Sequence, residues 1–197
     1  MSRPIFDTLL DVARKAHQAS TEMTAFCPFP DDIRATEATA FHIPASDLFQ
    51  AETGLFTDHH DDFRKALVAA APYVRWRETY KGTDIGQDFL DRFGCYCLIG
   101  PDAPFHSDQM FCWMVYMPPG LHYPWHHHPG EEMYLVLGGE AEFFRKGAAD
   151  ETLRSGDVCQ HGSNQPHAME TFEHPVLAYV VWRNGFATPP VLTKDER

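Results

Sequence analysis

The spacing of hydrophobic positions changes midway along the chain. Over residues 4–19, Ile5, Leu9, Val12, Ala13 and Ala16 recur at helical intervals with polar residues between them, which predicts an amphipathic helix. Residues 59–71, HHDDFRKALVAAA, open acidic, continue with good helix formers and stop at Pro72, which predicts a second helix. Pro28, Pro30 and Pro44 mark a loop-rich connection between the two. Further on, short segments rich in β-branched and aromatic residues alternate with Gly and Pro. They are GCYCLIG at 94–100, FCWMVYMP at 111–118, EMYLVLG at 132–138, EAEFFRK at 140–146 and VLAYVVWR at 176–183. Strands this short at this spacing predict an antiparallel sandwich or barrel. The simplest architecture is mainly β: a barrel over 91–190 with a helical N-terminal region, 1–90, packed on it as one structural domain.

Composition narrows the function classes. A chain of 197 residues with 44% in the hydrophobic set and 13% aromatic suits one packed domain. Sixteen Lys and Arg against twenty-eight Asp and Glu give a net charge of −12. With no basic stripe, that balance argues against a nucleic-acid partner. No run is long enough to cross a bilayer, so no membrane partner is expected. The N-terminus MSRPIFDTLLDVARKAHQ mixes charge into its apolar residues, unlike a signal peptide. The five cysteines, Cys27, Cys95, Cys97, Cys112 and Cys159, are odd in number and contain no C-x-x-C pair. That pattern points to a reducing compartment, and the cytoplasm is the expected location.

Candidate chemistry is concentrated in the β-rich part. Seven of the twelve histidines fall between His122 and His174. In GLHYPWHHHPGEEMYLVLGG, residues 120–139, strand alternation puts His126 and His128 on one face and His127 on the other. Glu132 and Tyr134 again share a face. His167 follows a Gly- and Pro-containing turn, SGDVCQHGSNQP, in which Asp157 serves the turn and His161 reads as a loop or rim residue. Three neutral imidazoles and a carboxylate form a mixed N/O set for one divalent transition-metal ion: Fe(II), Mn(II), Zn(II), Ni(II) or Co(II). Such a centre is net positive and draws an anionic ligand. The plainer reading of the histidines, as core or surface residues, does not explain the complete spacing. For Tyr134 a packing role in the barrel stands beside a chemical one.

These residues resemble the cupin pattern, G-x5-H-x-H-x3-E-x6-G followed by G-x5-P-x-G-x2-H-x3-N. The first motif matches at Gly120, His126, His128, Glu132 and Gly139. The second keeps Gly156 and His167 but has Gly162, Asn164 and Thr171 where the pattern has Pro, Gly and Asn. The finer resemblance is to the bacterial cupin-type dimethylsulfoniopropionate (DMSP) lyases, the DddQ-like group. It rests on Glu132-Met133-Tyr134, on Tyr123-Pro124-Trp125-His126 and on Pro166-His167-Ala168. The resemblance implies a double-stranded β-barrel (jelly roll) and release of dimethyl sulfide and acrylate from DMSP. It also implies a small zwitterionic or anionic carboxylate as substrate, and cupins commonly form homodimers. Tyr134 is then the expected base and Tyr123 an alternative base or a carboxylate anchor. An aromatic wall of Trp113, Tyr116, Trp125 and Trp182 is expected to receive the sulfonium by cation–π attraction. Two other classes remain open from the residues alone: an Fe(II)-dependent cupin dioxygenase and a non-catalytic cupin that binds a small ligand.

Overall fold

The computed structural model describes residues 2–194. Five helices precede the barrel: α1 (Arg3–Ala19), α2 (Thr21–Phe26), α3 (Pro44–Ala51), α4 (Asp61–Ala70) and α5 (Gln87–Arg92). Helix α1 lies where the periodicity predicts it, and α4 where the acidic start, the helix formers and Pro72 predict it. Helix α2 is capped by Ser20, whose side chain accepts from the Met23 amide at 3.2 Å. Pro44 starts α3 instead of marking a loop, because a proline in the first helical turn has no amide that the helix would need.

The strands are β1 (Arg34–Ala35), β2 (Gly94–Ile99), β3 (Phe105–His106), β4 (Phe111–Met117), β5 (His122–His127), β6 (Glu131–Arg145), β7 (Glu151–Arg154), β8 (Val158–His161), β9 (His167–Glu170), β10 (Val176–Arg183) and β11 (Val191–Leu192). They run in the order β1-β3-β2-β4-β10-β6-β9-β5-β11, with β7 and β8 also paired to β6. All pairings are antiparallel except β2 with β3.

The segments 132–138 and 140–146 are one fifteen-residue strand, not two. Its first half lies between β10 and β8, and its second half between β7 and β9. The bend comes at Gly139, with φ of +71°, where an added Cβ would stand 1.8 Å from the Pro175 carbonyl oxygen. Only glycine fits there. The Gly139 and Glu140 amides donate to Phe56 and Pro175 carbonyls, so the bend leaves no backbone donor unpaired.

Strand alternation sorts the side chains into two cores. Met114 and Tyr116 of β4, Leu135 of β6, and Leu177 and Tyr179 of β10 pack with Leu9, Phe49 and Phe63 of the helices. Trp113, Tyr134, Val180 and Trp182 point the other way, into the barrel. The helical layer therefore covers one face of a sheet whose opposite face builds the site.

Candidate metal centre

Three strands bring the histidine–glutamate set together. His126 is the penultimate residue of β5, Glu132 the second residue of β6 and His167 the first of β9, with His126 paired directly to His167 across the β5–β9 ladder. His128, Glu132 and His167 offer ligand atoms all within 4.8 Å of one another. His126 stands beside this triplet, its ring 4.0 Å from that of His167 and 6.3 Å from that of His128. All four side chains are buried. His127 points away, its Nδ1 bonded to the Thr193 hydroxyl, as alternation requires.

The backbone fixes how the imidazoles face. Nδ1 of His126, His128 and His167 each lies 2.8 Å from a carbonyl oxygen, of Pro124, Gly130 and Gln165 respectively. A carbonyl only accepts, so each Nδ1 carries a proton, which leaves Nε2 as the ring atom able to give a lone pair to a metal. Nε2 of His128 and of His167 is buried without a hydrogen-bond partner. Those atoms point at Glu132 Oε2, at 3.3 and 3.0 Å. Orphaned ring nitrogens converging on a carboxylate oxygen are the donor set of a divalent metal, and the residues present fit one. The electrostatics agree. Burial alone raises the Glu132 carboxyl, but His128 and His167 outweigh it and hold the carboxylate well below its usual range. Burial keeps His126 well below the ordinary imidazole value, hence neutral.

The sequence reading left His161 on a rim, yet it is 1% exposed and part of the centre. Its Nδ1–H donates to Glu132 Oε2 at 2.9 Å, and its ring stacks on His167 at 4.0 Å. Its Nε2 faces the Cys159 thiol at 3.5 Å, and burial lowers its pKa to about 4. Nothing in the spacing marks His161; only the pairing of Glu132 opposite His161 does. The departures from the second motif have local explanations. Asn164, with φ of +55°, donates its amide to the His128 carbonyl. Thr171 donates to Pro118 and accepts from the Leu121 amide, tying the end of β9 to the turn before β5.

A cavity of about 120 Å³ opens beside the centre, lined by Tyr123, Tyr134, Glu132, Trp113 and Trp182 among others. Tyr123 reaches it because a bulge between Tyr123 and His126 breaks the alternation, and its ring then stacks on His126 at 4.0 Å. Its hydroxyl lies 3.1 Å from that of Tyr80, a buried residue with φ of +68° that no sequence motif marks. Burial pushes the phenols of Tyr123 and Tyr134 well up, and the Glu132 charge adds to it in both.

Of the four aromatics expected to form a wall, two reach the cavity. Trp113 and Trp182 line the cavity. Tyr116 does not: three residues from Trp113 it takes the opposite face, donates to Glu52 and packs on Phe49. Trp125 also turns outward, beside Phe144 on the barrel exterior. One face of Trp113 is covered by the Arg77 guanidinium, 4.6 Å from the ring centroid. Thr79 Oγ1 and Trp113 Nε1, at the same cavity, are buried without a hydrogen-bond partner.

Comparison with known proteins places these features in a family. Residues 20–178 match the family model described as dimethylsulfoniopropionate lyase. The chain is 42% identical over 193 residues to dimethylsulfoniopropionate lyase DddQ of Ruegeria pomeroyi, covering 98% of this chain and 96% of that protein. The crystal structure of that DddQ superposes with a TM-score of 0.96 at 41% identity, covering 98% of both chains. A structure reported with the DMSP lyases RdDddP and RnDddQII superposes at 0.94 and 38% identity, covering 98% of this chain and all of that one.

Proposed function

Since the chain belongs to the dimethylsulfoniopropionate lyase family, we propose that it cleaves DMSP to dimethyl sulfide and acrylate by base-initiated β-elimination. The observation that carries this reading is a buried His128–Glu132–His167 triplet, with free imidazole lone pairs, under a cavity that also holds two phenols. We take His126, whose Nδ1 proton is tied to Pro124 and whose ring lies 4.0 Å from that of His167, as the fourth ligand.

A divalent cation there supplies Lewis-acid stabilisation of carbanion charge on the substrate carboxylate, and a positive field opposing that of Glu132 at the phenols. Fe(II), Mn(II) and Zn(II) all suit the donors. Tyr134, two residues from Glu132 on the same face of β6, would in its phenolate form, favoured by the cation's field, take the proton from the carbon next to the carboxylate and become a neutral phenol. That C–H electron pair becomes the new double bond, and the C–S pair leaves with sulfur as neutral dimethyl sulfide. The leaving group needs no proton, so no general acid is required. Tyr123, held by Tyr80, anchors the carboxylate or exchanges roles with Tyr134. Trp113 and Trp182 offer aromatic surface to the sulfonium, with the Trp113 face under Arg77 already in use.

Five buried, unpaired cysteines support a reducing compartment, and we place the activity in the cytoplasm. The deciding experiment restores Fe(II), Mn(II) or Zn(II) to metal-free protein and measures headspace dimethyl sulfide and dissolved acrylate from DMSP. Equal amounts of the two products, formed with and without oxygen, are expected. Absence of product with every metal refutes the reading, and turnover that requires oxygen favours a dioxygenase.

A further inference from the structure

Glu132 sits at the centre of a three-strand row. It lies opposite His161 in the β6–β8 pairing and opposite Trp182 in the β6–β10 pairing. Directly opposed residues of neighbouring strands project to the same face, so the register sets a hydrogen-bond donor on each side of the carboxylate. Both donors are engaged: Trp182 Nε1–H to Oε1 at 2.7 Å, and His161 Nδ1–H to Oε2 at 2.9 Å. Glu132, His161 and Trp182 are all buried, so water does not compete for these bonds.

The two oxygens differ in what else they face. Oε2 is the atom met by the orphaned Nε2 atoms of His128 and His167. Oε1 takes its hydrogen bond from the indole. An indole nitrogen donates only and offers no lone pair to a metal. The Trp182 ring is itself fixed, stacked on His128 at 4.0 Å and 22°, with Trp113 against it edge-on.

We propose that Trp182 is a positioning residue that reserves Oε1 of Glu132. The carboxylate then presents Oε2 alone to a metal ion and leaves a coordination position free for the substrate carboxylate. This rests on the metal-dependent reading above and adds a role to a residue that otherwise reads as cavity wall. A carboxylate released from such a donor can bind a cation through both oxygens, and the second oxygen would take the place that substrate needs.

Trp182→Phe keeps a ring beside His128 and removes the donor. Metal-free wild type and variant are titrated first with Co²⁺ and then with propionate, following the visible absorption of bound cobalt. Both should bind one Co²⁺ per chain. The variant should absorb more weakly, because higher-coordinate cobalt absorbs less than tetrahedral cobalt, and should bind propionate about 10–100-fold more weakly. Identical spectra and propionate affinities overturn the proposal. So does loss of cobalt from a variant with a normal thermal melt, since Trp182 would then be needed to hold the ion itself. If Trp182→Phe does not fold, benzothienylalanine in place of Trp182, lacking only the N–H, goes through the same titrations. Wild type that binds no cobalt sinks the metal-dependent reading as well. Wild type that binds cobalt and releases dimethyl sulfide beside an indistinguishable variant sinks only the role of Trp182.

Discussion

Two phenols face the cavity, and single substitutions separate their roles. Tyr134→Phe preserves the ring contacts with Phe143 and His161 and removes only the hydroxyl. Activity should fall about 10²–10⁴-fold with the metal content unchanged, the usual cost of losing a positioned base. A packing role alone predicts almost no change in turnover, so steady-state rates of Tyr134→Phe and Tyr123→Phe side by side decide the matter. A second residue-scale expectation concerns pH. Burial lowers His161 to about 4, against 6.5 for a free imidazole. Between those values the unfolded chain binds a proton that the folded chain does not, so acidification through this window costs stability. From pH 6.5 to 5 the loss from His161 is about 2 kcal/mol. Urea melts of metal-free protein at pH 7 and 5 should show it, and His161→Gln should lose less on acidification. At this scale the clustering of the proposed ligand histidines was legible because i, i+2 spacing on a strand is a facing rule. His161 was hidden because its partner lies across a ladder whose register no local pattern encodes. Tyr116 and Trp125 were misplaced for a plainer reason: odd spacing from Trp113 and His126 turns each to the far face of its strand.

At the level of elements, the two motif glycines do different work. At Gly120, with φ of +67°, an added Cβ meets nothing within 4 Å, so Gly120→Ala costs backbone strain alone, about 1 kcal/mol. Gly139→Ala drives the same atom into the Pro175 carbonyl at the bend of β6 and should cost at least about 3 kcal/mol. Equilibrium denaturation of the two variants gives the comparison; equal losses would mean that β6 can shift to relieve the clash. The segments 132–138 and 140–146 read as two strands because Gly139 falls between them. Here that glycine lets one strand pass from the first sheet to the second. Helix α1 was legible from its periodicity and α4 from its acidic start, helix formers and terminal proline, whereas α3 and α5, at eight and six residues, are too short to show a pattern.

Across the whole molecule, the helical layer and the sheet behind the site share one core, with Leu9 and Phe63 against Leu177 and Tyr179. His17, fully buried in α1, links the layers through the Tyr179 hydroxyl at 3.1 Å and the Cys27 carbonyl at 2.7 Å. The net charge of −12 would repel a simple anion at long range. A zwitterion such as DMSP carries no net charge, so its capture should depend only weakly on ionic strength. Binding of metal at a hundred times its dissociation constant should add about 2.7 kcal/mol to stability, read as a raised melting temperature that a chelator reverses.

The placement of the ligands also dictates an order of events in folding. His128 follows β5, Glu132 lies at the start of β6 and His167 opens β9, and the β5–β9 and β6–β9 ladders that unite these strands close the barrel. Pairings between strands so distant in sequence form late, because the chain loses loop entropy before it gains contacts. A metal ion therefore has almost nothing to grip in the early, half-assembled chain. Its stabilisation should appear almost wholly as slower unfolding, with the refolding rate of the barrel scarcely altered. The centre acts as a latch that engages after closure, and stopped-flow refolding with and without metal would distinguish it from a nucleus around which the barrel grows.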